Sequence, residues 1–242
     1  MLKVSEPAQR RRSSSDRVLL DMNTQCDLLL PKGAMPVINR AEVLPNIRRL
    51  MSWARVESLL VISSLECGRI GRSSRGLPPY CVDGSAGQRK IPITLLPSRF
   101  VVHNDNTVDI PPDLLHRIQQ IILTKRSRDF LSNPKVDRIF QALSVNHVVV
   151  FGAVAERCVK SVVLGLLARW NRVGVVTDAC GAWSAEAADM AMRQMEAKGA
   201  VLVTTDELIS GAADEWLRCD RPSFVRDAQT PADALLNVSA GE

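Results

Sequence analysis

Three side chains of this chain, Asp21, Lys125 and Cys158, hold the chemistry of nucleophilic catalysis: a thiol to attack an electrophilic carbon, a carboxylate to move the proton and an ammonium to stabilise the thiolate. Cys158 follows Val148, Val149, Val150 and Phe151, a continuously apolar, β-branched run suited to a parallel strand covered on both faces, and then a small-residue turn opening at Gly152. From Cys158 onward Val159, Val162, Val163, Leu166 and Leu167 recur at helical spacing, which predicts the cysteine in the first turn of a helix. Free backbone N–H groups and the helix dipole favour negative charge there, so the expected thiol pKa falls from about 8.5 toward neutrality. Each residue also has a plainer reading. A lone cysteine on an apolar helix serves as a small core residue, a strand-end aspartate caps a turn, and a lysine such as Lys125, Lys90 or Lys135 is solvated.

What would bring the three together is the succession of elements. Arg17 to Leu20 reads as a first strand ending at Asp21, followed by a helix from about Glu42 to Val56 and a second strand from Ser58 to Ser63. Gln120 to Leu123 gives a third strand ending near Lys125, Pro134 to Leu143 a helix, and Val148 to Phe151 a fourth strand. Arg172 to Thr177 is a fifth strand ending at Asp178, Ala185 to Lys198 a helix stopped by Gly199, and Ala200 to Val203 a sixth strand with a short helix from Thr205. Strands alternating with helices predict an α/β fold with a doubly wound, mostly parallel six-stranded sheet and helices on both faces. Ligands of such sheets bind outside the carboxyl ends of the strands, where Asp21, Lys125 and Cys158 each fall.

Composition bounds the rest. At 242 residues with 46% hydrophobic and only 4% aromatic residues, the chain fits one aliphatic α/β domain over residues 16–210, between a basic, serine-rich and disordered tail over 1–15 and an extension over 211–242. The segment from Gly68 to Pro97, rich in Gly, Pro, Ser and Arg, is expected to cap the substrate. A net charge of +5 is spread along the chain, and the few aromatics offer no basic stripe for bases to stack on, so nucleic acid is not an expected partner. Six cysteines without a C-x-x-C pair or a secretory leader predict a reduced, cytoplasmic protein, and no apolar stretch approaches the ~20 residues of a membrane span.

The segments DMNTQCDLLLPKGAMPV around Asp21, TKRSRDF around Lys125, FGAVAERCV around Cys158 and VVTDACGAWS around Asp178 resemble the isochorismatase-like cysteine hydrolases, which include nicotinamidases and related amidases. The resemblance spans about residues 16–210. It implies a six-stranded parallel sheet, an Asp21, Lys125 and Cys158 triad, and a cis peptide joining Ala153 to Val154. It further implies an oxyanion hole from the N–H groups of Val154 and Cys158, and a small-molecule substrate met by Tyr80 and Cys81. Family members commonly form dimers or tetramers, so a homo-oligomer is expected.

The sequence departs from the nicotinamidases where they bind a metal. Their Asp-x-His pair is replaced by Glu66 and Gly68, and their next histidine by Tyr80, while His103, His116 and His147 show no ligand spacing. Neither a metal nor another cofactor is expected. Asp178 is read as organising the next turn and Glu156 as pairing with a neighbouring arginine, and Cys26, Cys67, Cys81, Cys180 and Cys219 as packing residues, Cys81 nearest the cleft. The resulting expectation is a hydrolase of amide-type C–N bonds acting through a Cys158 thioester. Two alternatives stand beside it: cleavage of a vinyl ether of the isochorismatase type, and a non-catalytic module that binds a metabolite or a protein.

Overall fold

The computed structural model describes residues 17–69, 77–105, 117–127, 129–143, 145, 147–169 and 172–213. The expected tail over 1–15, part of the loop between 68 and 97, His116, Cys219 and most of the extension over 211–242 lie outside them. Seven strands form one sheet: β1 (Arg17–Met22), β2 (Leu60–Glu66), β3 (Arg99–Val102), β4 (Gln120–Lys125), β5 (His147–Ala153), β6 (Arg172–Gly181) and β7 (Val201–Val203). Their order is β3-β4-β2-β1-β5-β6-β7 and every pair is parallel. The strand beyond the expected six is β3. Its four residues continue directly from the Pro-rich loop and three of them are exposed, so it carries neither the length nor the burial that marked the others.

Among the described residues six α-helices have both ends in view: α1 (Cys26–Leu29), α2 (Arg40–Val56), α3 (Pro134–Ala142), α4 (Lys160–Ala168), α5 (Ala185–Ala197) and α6 (Thr205–Ser210). In α2 the buried residues Val43, Ile47, Leu50, Met51 and Ala54 recur every three or four positions, so one stripe turns inward and packs with Leu19, Val61, Val149 and Phe151. On the other face Val136 and Ile139 of α3, Val162, Val163 and Leu166 of α4 and Met195 of α5 pack with Val18, Leu20, Ile62, Ile121, Leu123 and Val150. Ser184 caps α5 by accepting from the Ala187 N–H, and Thr204 with Glu207 forms a capping box on α6. Among the described residues no helix is long and apolar enough to cross a membrane.

The alternation of β1 decides where Asp21 goes. Val18, Leu20 and Met22 face the cluster shared with α3, α4 and α5, whereas Leu19 faces α2, and Asp21 has the parity of Leu19. Asp21 is fully buried there, level with Ser63 of β2 and Phe151 of β5. Its Oδ2 accepts from the Lys90 ammonium at 2.8 Å and from the Ser63 hydroxyl at 2.9 Å, while Oδ1 has no hydrogen-bond partner. Lys90 also donates to Thr24 Oγ1 at 2.7 Å. Burial pulls the Lys90 pKa down and Asp21 pushes it back up, so the ammonium depends on that carboxylate.

Two predictions follow from these constraints. Replacing Lys90→Met strands a buried carboxylate and should cost about 3 to 5 kcal/mol in denaturant unfolding, most of it recovered in the double variant Asp21→Leu/Lys90→Met. An unchanged unfolding midpoint for the single variant would contradict the pair. Gly152 has φ of +117°, and a Cβ there would lie 2.1 Å from the Met22 carbonyl oxygen, so Gly152→Ala should cost about 3 kcal/mol by the same measurement.

Candidate active site

The turn after β5 is built by a change of helix type. Gly152 and Ala153 end the strand, the bond joining Ala153 to Val154 is cis, and residues Ala155–Val159 form a π-helical turn before α4 begins at Lys160. Cys158 therefore precedes the α-helix and lies within the π turn. Glu156 holds this turn in place. Its Oε1 accepts from the Trp183 N–H at 2.9 Å and the Ser184 N–H at 3.1 Å, just beyond β6. That corrects the expected pairing of Glu156 with an arginine: two backbone donors left free by the strand end compete for the carboxylate and win.

Cys158 is 3% exposed and faces the α3, α4 and α5 side of the sheet. Lys125 has the parity of Ile121 and Leu123 on β4, and Glu66 that of Leu60 and Ile62 on β2, so both reach the same side. The three close a triangle. The Lys125 ammonium donates to Glu66 Oε2 at 3.0 Å and lies 3.8 Å from Cys158 Sγ, and the thiol lies 3.9 Å from the same Oε2. Lys125 also donates to the Ser127 carbonyl at 3.1 Å.

Of the three residues singled out in the sequence, the fold thus gathers Lys125 and Cys158, while Asp21 points to the opposite face of the sheet. The carboxylate beside the thiol is Glu66. Asn23 is the second residue the sequence reading passed over. Its φ of 47° is left-handed, which turns the side chain off the alternation of β1, and asparagine tolerates that conformation better than most residues. Its amide donates to Glu66 Oε2 at 3.2 Å, and its carbonyl accepts from the Ser64 hydroxyl at 2.7 Å. An asparagine directly after a strand end was the available signal.

The electrostatics also differ from expectation. Burial is the largest influence on Cys158 and raises its pKa above the ordinary thiol value, with Glu66 adding to the rise; Lys125, Asn23 and Arg157 pull it down without reversing it. The resting group is the thiol. The expected fall toward neutrality assumed an exposed first turn of an α-helix, and the π turn is neither. Burial alone would lower the Lys125 pKa, but negative charge on its two neighbours, the Cys158 thiolate once formed and Glu66, raises it above the ordinary lysine value.

The loop after β2 closes over this triangle. Gln25 receives the Glu66 N–H on Oε1 and donates from Nε2 to the carbonyls of Glu66 and Gln88, and Asp27 Oδ2 accepts from the Cys81 N–H at 2.7 Å. A Cβ on Gly87 would lie 2.1 Å from the Asp27 carboxylate, so glycine is required there. Burial raises the pKa of Tyr80 and of the fully buried Cys81, and the charge of Glu66 adds to the rise. The Tyr80 ring stands edge-on to Trp183 with centroids 5.5 Å apart.

The other expectations fall into place as packing and turn chemistry. Asp178 accepts from Thr205 N at 2.9 Å and Oγ1 at 2.8 Å, organising the start of α6. Lys135 is buried against Asp105 at 2.6 Å. Cys67 is buried beside Gln88, Cys26 is half-buried, and Cys180 is buried with its pKa pushed up to about 12.

The residues at the place of a nicotinamidase-type metal do not fit one. Gly68 supplies no side chain, and a Cβ on it would lie 2.6 Å from the Tyr80 carbonyl oxygen, while Glu66 is committed to Lys125 and Asn23. Among the described residues no three His, Cys, Asp or Glu side chains gather as a metal-binding group.

Comparison with known proteins agrees with this architecture. The family model of the isochorismatase domain matches residues 18–207. No curated protein sequence matches. Among solved structures, an isochorismatase family protein from Desulfovibrio vulgaris is 20% identical with a TM-score of 0.66, covering 82% of this chain and 98% of that one. A cysteine hydrolase from Pseudomonas syringae pv. phaseolicola is 18% identical with a TM-score of 0.66, covering 86% and 97%. The pyrazinamidase of Pyrococcus horikoshii in complex with zinc is 20% identical with a TM-score of 0.61, covering 78% and 99%. With that domain matched from the first strand to the last helix of the sheet, the chain belongs to the isochorismatase family of hydrolases.

Proposed function

We propose that this chain is a cysteine hydrolase that cleaves an amide-type C–N bond of a small metabolite through a thioester on Cys158. The observation that carries this reading is the triangle of Cys158, Lys125 and Glu66, in which a thiol lies 3.9 Å from a carboxylate oxygen while an ammonium stands by both atoms. Attack of Sγ on the carbonyl carbon moves the thiol proton to Glu66 Oε2. The charge that develops on the carbonyl oxygen meets the N–H groups of Val154 and Cys158 in the turn after β5. Collapse of the tetrahedral adduct breaks the C–N bond, and the nitrogen leaves with the proton from Glu66. Glu66 then takes a proton from water as it attacks the thioester, and returns that proton to sulfur as the acid departs.

Lys125 acts throughout as a fixed positive charge. It stabilises whichever of the two neighbours is ionised, and its own burial keeps it from wandering to solvent. Glu66, with its side chain 14% exposed, is the member of the triangle open to substrate and water. Tyr80 and Cys81 form the wall over it. Asp21, the carboxylate first matched to the triad, is a structural group in this reading.

Incubation with small amides, ureas and carbamoyl compounds should give an acyl adduct on Cys158, detected by mass. Cys158→Ala should lose both adduct and turnover; turnover that persists overturns the nucleophilic role and favours vinyl ether cleavage. Glu66→Gln should lower kcat by about 10²- to 10⁴-fold with the fold intact by circular dichroism.

The raised thiol pKa makes a separate prediction. Below its pKa the thiolate population grows tenfold per pH unit, so alkylation of Cys158 by iodoacetamide should climb about tenfold per unit from pH 7 to 9. A rate that levels off below pH 8 would mean a preformed thiolate and contradict it.

A further inference from the structure

Every buried cation near the sheet's carboxyl edge has a carboxylate: Lys125 has Glu66, Lys90 has Asp21 and Lys135 has Asp105. Arg157, the residue immediately before Cys158, does not. Its guanidinium makes no ion pair or hydrogen bond among the described residues and lies over the Trp183 ring, 5.0 Å from the centroid. Trp183 is a fixed platform. Its backbone N–H is held by Glu156, its indole N–H donates to the Met35 carbonyl at 2.9 Å, and its ring is nearly perpendicular to that of Tyr80. Arg157, Tyr80 and Trp183 are all half-buried, so they form a wall that is neither core nor open surface.

Of the charges that act on the thiol, Lys125 and Glu66 oppose each other and Arg157 adds a further positive one, while the neighbouring Glu156 turns to the backbone N–H groups of Trp183 and Ser184. A guanidinium stacked on an aromatic ring keeps the edge of its planar fork free, and that edge matches a carboxylate through two parallel N–H donors. We propose that Arg157 is the specificity-determining residue of this site and that the substrate is a small amide bearing a carboxylate, bound by the Arg157 fork and flanked by Tyr80 and Trp183. This rests on the reading of Cys158 as an accessible nucleophile. The free positive charge draws an anionic substrate into the cleft, and the rigid tryptophan sets the distance between its carboxylate and the carbonyl at sulfur.

Two alkylating reagents of nearly the same shape test this without knowledge of the substrate. Iodoacetate carries the carboxylate and iodoacetamide does not. The ratio of their rates on Cys158 cancels any change in thiolate population, because both reagents need the same thiolate. In the Arg157→Met variant the iodoacetate-to-iodoacetamide ratio should fall by about tenfold or more, the scale of one lost charge-assisted pair, with Arg157→Lys between the two. An unchanged ratio overturns the anion-binding role and leaves the hydrolase reading standing. No labelling by either reagent overturns both.

Should Arg157→Met fail to fold, the unmodified protein decides alone. Succinate should slow the iodoacetamide reaction, whereas succinamide at equal concentration should not. Equal protection by the two overturns the proposal. On the unmodified enzyme, succinamate should likewise be preferred to butyramide by about tenfold or more in kcat/KM.

Discussion

The ammonium of a lysine that is 1% exposed, as Lys125 is, survives only beside negative charge, and this requirement orders the rest of the site. Glu66 supplies the charge at rest. In the proposed mechanism the thiol gives its proton to Glu66 and the sulfur supplies the charge instead, so the sum over Lys125, Glu66 and Cys158 does not change. Proton transfer within the triangle therefore moves charge by less than 4 Å and leaves the net charge of a poorly solvated pocket as it was. The raised pKa of Cys158 belongs to the same balance. One cation serves two acids, of which Glu66 is the more exposed.

Glu66 can play that part because the segment leaving β1 grips the strand that carries it. Asn23 binds its carboxylate, and Gln25 binds its backbone on both sides. Two residues later Asp27 fastens the loop that bears Tyr80 and Cys81, and Gly87 gives that carboxylate room. The five residues from Asn23 to Asp27 thus connect the acid, the cover of the site and the sheet. The spacing between Glu66 and the loop over it is fixed by hydrogen bonds to backbone groups, which leave little freedom for either to drift alone.

Much of this was legible in the sequence. The apolar run before Gly152, the helical spacing after Cys158 and the strand before Lys125 each follow a single dominant periodicity, and each element appears within a few residues of its expected bounds. Asp21 was not legible in the same way, because adjacency to a strand end says nothing of which face a side chain takes. Its parity with Leu19 held the answer, and the left-handed turn at Asn23 that brings an amide to the sulfur in its stead is a backbone choice with no hydrophobic period. Glu66 was weighed as a metal ligand and set aside; its partner lies 59 residues further along the chain, beyond the reach of any local pattern. The π turn at Ala155–Val159 likewise leaves no mark on a sequence whose apolar spacing suits an α-helix.

The two consecutive serines of β2 show how closely the faces are tied. Ser63 donates to Asp21 on the α2 side, and Ser64 donates to Asn23 on the side of the thiol. Two of the buried lysines, Lys90 and Lys125, each sit with a carboxylate on one of those sides. Because side chains alternate with period two, a slip of one residue between β1 and β2 would carry Glu66 to the wrong face, separating it from Lys125. An apolar register error costs packing alone, whereas this one would leave two charges uncompensated in the interior. The ion pairs of this sheet need not add to its stability to be retained. They penalise the alternative pairing of β1 with β2, and the register they enforce is the one that sets a thiol, a carboxylate and an ammonium around a common point.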